Sequence, residues 1–142
     1  MNLRAATLED AERITALSHQ LGYDATVQQT SARLSGILSS TDNCVYVVAD
    51  GDNVIGWIHG IYSVRVESDA FVEIGGLVID MNYRRKGVGK MLVNEVIEWS
   101  RARNIHKIRV RSNTIRKEAH VFYKSMGFAE TKEQKIFDLS LD

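Results

Sequence analysis

Residues 83–92, YRRKGVGKML, set basic side chains and glycines where an apolar run gives way to a helical pattern. Arg84, Gly87 and Gly89 make R-x-x-G-x-G, with Val88 between the glycines and Arg85, Lys86 and Lys90 around them. Glycine lets the backbone turn from strand into helix and come close to a ligand. The first N–H groups of a helix lack internal partners, and the helix dipole there favours negative charge. Such a turn suits a phosphate or pyrophosphate. The bland alternative is a capped turn with solvated cations. Two nucleotide motifs are excluded by spacing. A Walker-type loop needs glycine where Arg84 stands, and a dinucleotide fingerprint needs a third glycine where Leu92 stands.

The elements that must position this turn alternate strands with helices. A brief strand over residues 2–6 precedes Thr7 and Asp10, which resemble a capping box. Leu8, Ala11, Ile14, Leu17 and Leu21 recur at helical spacing, and Gly22 ends that helix. A second helix runs from Val27 to Leu38 with Thr26 as its cap and Leu34, Ile37 and Leu38 facing inward. Cys44–Ala49 and Val54–Val64 read as antiparallel strands joined by a turn at Gly51-Asp52-Asn53. Phe71–Ile79 is apolar at nearly every position, as in a strand covered on both faces. A helix then carries Val88, Met91, Leu92, Val96 and Trp99 as one core stripe to about Arg103. Lys107–Ser112 reads as a strand and Lys117–Met126 as a helix stopped by Gly127. Strands near Phe128–Thr131 and Lys135–Leu141 complete a β-α-α-β-β-β-α-β-α-β-β order, an α/β (α+β) mixed sheet with helices on its faces.

Bulk composition fits one domain spanning residues 1–142. The chain is 44% hydrophobic and 25% charged, with Lys plus Arg and Asp plus Glu both at 18. That balance gives no whole-chain attraction to nucleic acid or an anionic membrane. The lone cysteine, Cys44, rules out an internal disulfide or a multi-cysteine metal site and suits a reducing cytoplasm. It sits in CVYVVA and reads as a small buried hydrophobe. The first residues, MNLRAATLED, have no long apolar core, so neither signal peptide nor membrane anchor is expected there. The histidines, His19, His59, His106 and His120, give no convincing metal cluster; His120, one turn before Tyr123, is weighed for a role in chemistry but reads first as a packed or exposed helix residue.

EIGGLVID (73–80), YRRKGVGKML (83–92), RVRSN (109–113) and AHVFYKSMGF (119–128) together resemble the GNAT superfamily of N-acetyltransferases. The likeness covers about half the chain closely. It implies acetyl-CoA as co-substrate, with the amides of about Arg85–Lys90 on its pyrophosphate. It implies that strands splay apart beside the Gly-rich strand. Leu77 N–H would then polarise the acetyl carbonyl, and Val78 and Ile79 would hold the pantetheine arm.

The implied reaction is direct attack of an amine on the thioester. An alkylammonium, with pKa near about 10, must first lose a proton. Glu73 is the candidate general base, direct or through water, with pairing to an Arg or binding of the amine as the competing roles. Tyr123 matches the tyrosine that protonates the departing thiolate in the family. Asn113 matches a position that bonds the pantetheine, and is equally a turn residue. Tyr23, Asp24, Tyr62, Glu67 and Asp69 are candidates for the acceptor pocket. The expected acceptor is a small primary amine; a protein N-acetyltransferase or a non-catalytic CoA-binding module are the alternatives. A homodimer is expected from family habit.

Overall fold

The computed structural model describes residues 1–142. The chain divides into two compact units, Met1–Val110 and Arg111–Asp142. The first opens with β1 (Asn2–Ala5), a short 3-10 turn at Leu8–Asp10 and α1 (Ala11–His19). Asp10 accepts from the Thr7 N–H at 2.8 Å and from both terminal nitrogens of Arg4 at 2.8 and 2.9 Å. Those bonds hold its carboxyl below its ordinary pKa, the Arg4 bond most strongly. α2 (Val27–Leu38) begins with a complete capping box, Gln29 N–H to Thr26 Oγ1 at 3.1 Å and Thr26 N–H to Gln29 Oε1 at 2.9 Å. Leu34 is buried and Ile37 half-buried, as expected, but Leu38 faces outward at 37% exposure.

β2 (Asn43–Asp50), β3 (Asn53–Ser63), β4 (Phe71–Ile79) and β5 (Ile108–Val110) join β1 in one sheet of order β1-β2-β3-β4-β5. All neighbours are antiparallel except β4 and β5, which are parallel. α3 (Val88–Ala102) packs one face through Val88, Leu92, Val93 and Val96, all buried. Glycines in β3 allow that close approach. A Cβ on Gly56 would lie 3.0 Å from Val88, and one on Gly60 would lie 2.8 Å from the Cys44 sulfur. On the opposite face α1 and α2 cover Val45, Val47, Trp57 and Val78 with Ile14, Leu17 and Leu34. Cys44 is buried, and desolvation pushes its thiol up to about 12, in keeping with an inert small hydrophobe.

The second unit contains α4 (Lys117–Ser125). Its end explains the FY…GF spacing. Gly127 takes φ +96°, the Phe128 N–H donates to the Tyr123 carbonyl at 3.0 Å, and the Gly127 N–H donates to Lys124 at 3.0 Å. This is a Schellman cap, completed by an edge-on contact of the Tyr123 and Phe128 rings at 5.5 Å. The two strands expected at Phe128–Thr131 and Lys135–Leu141 are not formed. A strand exists only by pairing, and no residue of 128–142 joins the sheet ladder. Ile136, Phe137, Leu139 and Leu141 are each at least 78% exposed.

Candidate active site

The basic turn is built from its first residue. Asp80 is buried; its N–H donates to the Ile55 carbonyl at 2.8 Å, and its Oδ1 accepts from the Asn82 N–H at 3.0 Å. Tyr83 anchors the next step by donating its hydroxyl to Asp50 Oδ2 at 2.9 Å. Arg85 and Gly87 then take left-handed backbone, at φ +63° and +83°. The first bond of α3 runs from the Met91 N–H to the Gly87 carbonyl at 3.0 Å. The amides from Arg84 to Lys90 make no backbone hydrogen bond. Arg84, Arg85, Lys86 and Lys90 are exposed and in no salt bridge, and Lys86 lies over the Tyr83 ring at 5.3 Å. Orphan amides with unpaired cations fit a diphosphate.

β4 supplies the second component. β5 pairs with it only at Val72, Glu73 and Ile74. From Gly75 to Ile79 its one strand neighbour is β3. The register slips between His59 and Gly60, so Gly75 is the extra residue of a β-bulge. This bulge changes which amides face outward. Before it, the Val72 N–H points away from β3, to the Lys107 carbonyl at 2.9 Å. After it, Asp80 donates to Ile55 on β3, so by strand alternation Val78 and Gly76 also face β3. Leu77 and Ile79 are therefore turned to the open edge. Val78 is not: its main chain faces β3 and its side chain, 3% exposed, belongs to the core. The Gly-Gly pair within a strand pattern was the sequence signal for this bulge.

Between α1, α2 and the sheet lies a cavity of about 330 Å³. Tyr23, Asp24, Arg33, Trp57, His59 and Leu77 are in its wall, as are Gly75, Gly76 and Val78. Of the expected acceptor residues, Tyr23 and Asp24 line it, whereas Tyr62, Glu67 and Asp69 do not. Tyr62 is two residues from Gly60 and so lies on the α3 face; Glu67 and Asp69 are exposed in the β3–β4 connection. Sequence reading passed over Arg33 and His59. The Trp57 ring lies on Gly76, and its buried indole N–H has no partner.

Glu73 is half-buried, paired in register with Ile61 on β3 and Arg109 on β5. It shares the cavity's face of the sheet, since a Cβ on Gly75 would lie 2.8 Å from Ile61 and 3.3 Å from His59 Nδ1. It does not line the cavity. In the second unit, burial raises the Tyr123 phenol above its ordinary pKa, so its O–H persists as a donor. Asn113 Oδ1 accepts from the Ile115 N–H at 3.1 Å, the turn role. That leaves its amide nitrogen for any ligand.

Residues 8–128 match the family model described as "Acetyltransferase (GNAT) family". N-acetylaspartate synthetase of Danio rerio is 26% identical over 102 residues, 72% of this chain and 35% of that protein. N-acetyltransferase 8 of Homo sapiens is 26% identical over 95 residues, 66% of this chain and 42% of that protein. The chain thus spans well under half the length of these curated relatives. Among solved structures, the aminoglycoside 6'-N-acetyltransferase AAC(6')-IG of Acinetobacter haemolyticus aligns over 100% of both chains, with TM-score 0.88 and 16% identity. AAC(6')-Iy, in complex with the bisubstrate analogue CoA-S-monomethyl-acetylneamine, aligns over 99% of this chain and 98% of its own, with TM-score 0.86 and 17% identity.

Proposed function

The chain belongs to the acetyltransferase (GNAT) family, and on that premise we propose that its 142 residues act as one acetyl-CoA-dependent N-acetyltransferase domain with a small primary amine as acceptor. The observation that carries this is the run of unpartnered amides from Arg84 to Lys90 beside the open edge of β4. Arg84, Arg85, Lys86, Gly87, Val88, Gly89 and Lys90 would hold the diphosphate, main chain first and cations second. Leu77 N–H would face the acetyl oxygen, where one such donor is worth about 2.7–4 kcal/mol in the transition state. Ile79 would bond the pantetheine arm, joined by the Asn113 carboxamide nitrogen. Acetyl-CoA contributes an activated acyl group as its thioester.

Glu73 would act on the acceptor nitrogen, as base or as the carboxylate that draws in the ammonium. Tyr123 would donate its proton to the departing thiolate. A small acceptor is favoured over a peptide by the cavity, whose volume of about 330 Å³ suits a compact ligand. Asp24 and Arg33 in its wall suit a polar amine. The names of the similar proteins point to acceptors as different as an aminoglycoside and an amino acid.

A cytoplasmic location goes with the single unpaired cysteine. A homodimer is favoured by the exposed Ile136, Phe137, Leu139 and Leu141, since so much apolar surface in one stretch calls for cover. Phe137→Asp with Leu139→Asp should give a monomer in sedimentation at concentrations where the wild type is dimeric. For activity, the test is CoA thiol release across a panel of amines, with calorimetric titration of acetyl-CoA alongside. No binding of acetyl-CoA by folded protein would overturn the reading; binding without turnover on any amine would favour the non-catalytic module.

A further inference from the structure

His59 is the ionisable group of the cavity wall best placed for proton transfer, and its surroundings fix how it is protonated. The ring is held at one end. Asp42 N–H and Asn43 Nδ2 both donate to Ser40 Oγ, at 3.2 and 3.0 Å. That turns Asn43 Oδ1 to the ring, 2.7 Å from His59 Nε2. An amide oxygen can only accept, so Nε2 carries the hydrogen and Nδ1 carries the lone pair. Nδ1 is the nitrogen nearest the bulge: a Cβ on Gly75 would come within 3.3 Å of it. Gly75 is also where β4 leaves β5 and begins its open edge. Glycine there keeps the space beside Nδ1 free.

We infer that His59 Nδ1 is the proton acceptor for the amine, resting on the acetyltransferase reading, with Asn43 as the residue that sets its tautomer. The acceptor enters as an ammonium. It gives one proton to Nδ1, and its lone pair then attacks the acetyl carbon. The carbon–sulfur bond breaks, the nitrogen's second proton ends on the thiol, and His59 returns its proton to solvent. Glu73 then contributes charge rather than the proton route, in keeping with its absence from the cavity wall. Burial lowers the His59 pKa from its ordinary value, so the base form prevails at neutral pH. Of the charged and titratable groups on the elements around it, Tyr23 and Asp24 after α1 and Arg33 on α2 share the cavity wall, and Glu73 on β4 lies on the same face of the sheet.

The test has two parts. In nitrogen-15 NMR of the ligand-free protein, His59 should show the Nε2–H tautomer and titrate below an ordinary histidine; an Nδ1–H ring overturns the inference whether or not any amine is acetylated. In kinetics, kcat/KM for the best amine should fall on the acid side as His59 protonates. His59→Gln should abolish that limb and lower the plateau by about 10²-fold or more. Asn43→Asp, which sets a carboxylate on Nε2, should move the limb up by about one pH unit; a residue that only packs would not move it. Glu73→Gln should keep the limb. Wild-type turnover with His59→Gln within threefold at every pH would sink the His59 assignment alone. Failure of acetyl-CoA to bind wild-type protein would instead sink the enzyme reading.

Discussion

The two halves of β4 are one strand doing different work. Residues 72–74 have strand neighbours on both sides, and Val72, like Phe71 before it, is fully buried. Residues 75–79 have β3 alone. In the first half every amide belongs to the fold. In the second, Leu77 and Ile79 are spared, because one inserted residue at Gly75 changes which amides meet β3. The lesson is that an open edge is made by withholding a neighbour and shifting the alternation once. No special side chain is required at Leu77 or Ile79, whose apolar character serves packing.

The sharpest way to break this comparison is proline, which removes one N–H and leaves the rest of the chain in place. Val78→Pro would delete a bond to β3 in mid-sheet, and should cost on the order of 3 kcal/mol or more of stability. Leu77→Pro removes an amide that the fold does not use. It should leave a cooperative thermal transition while kcat falls by about 10²–10³-fold. Equal damage to folding from both would mean that the alternation after the bulge has been assigned wrongly.

Two glycines sharpen the contrast at lower cost, because each is needed for a different reason. At Gly76 a Cβ would meet the Trp57 ring at 2.6 Å. Gly76→Ala should therefore destabilise by about 1–3 kcal/mol through overpacking, and move the cavity wall with Trp57. At Gly87 a Cβ would find nothing within 4 Å, but the backbone there is at φ +83°. Gly87→Ala should cost about 1–2 kcal/mol of conformational strain. If the turn relaxes to avoid it, acetyl-CoA affinity in calorimetry should fall about tenfold with the acceptor KM unchanged, as 1.4 kcal/mol would give. An acceptor KM that rises with Gly87→Ala would put the cavity and the turn in one coupled unit.

These cases show why part of the molecule was legible in the sequence. Helix caps, the Gly-rich turn and the apolar β4 are local, so Thr26, Gly87 and Phe71–Ile79 announce themselves through residue type and spacing. The order of elements was legible through α4 for the same reason. The final strands were not, because pairing is a property of two segments, and Lys135–Leu141 alternates correctly whether or not an edge meets it. That the Val78 main chain faces β3 was not legible, because it depends on the bulge at Gly75, which is set by the register between two strands. His59 was passed over because its neighbours, Asn43 and Gly75, come from other strands.

The smallest expected effect concerns stability against pH, and it separates His59 from Asp10. His59 has its pKa lowered in the folded protein by burial. Below about pH 6.5 the unfolded chain takes up the proton first, so stability falls with acidification until the folded ring is protonated too. Asp10, held low chiefly by Arg4, behaves as the usual carboxylate: its contribution is complete above about pH 4 and is lost as pH falls through the folded value. Two acid losses should therefore appear in denaturant titrations, well apart in pH. His59→Gln should remove the upper one and leave the lower. Arg4→Ala should weaken the lower and leave the upper. An upper loss that survives His59→Gln would mean that another group titrates there, and that the cavity wall near the bulge is wetter than its packing implies.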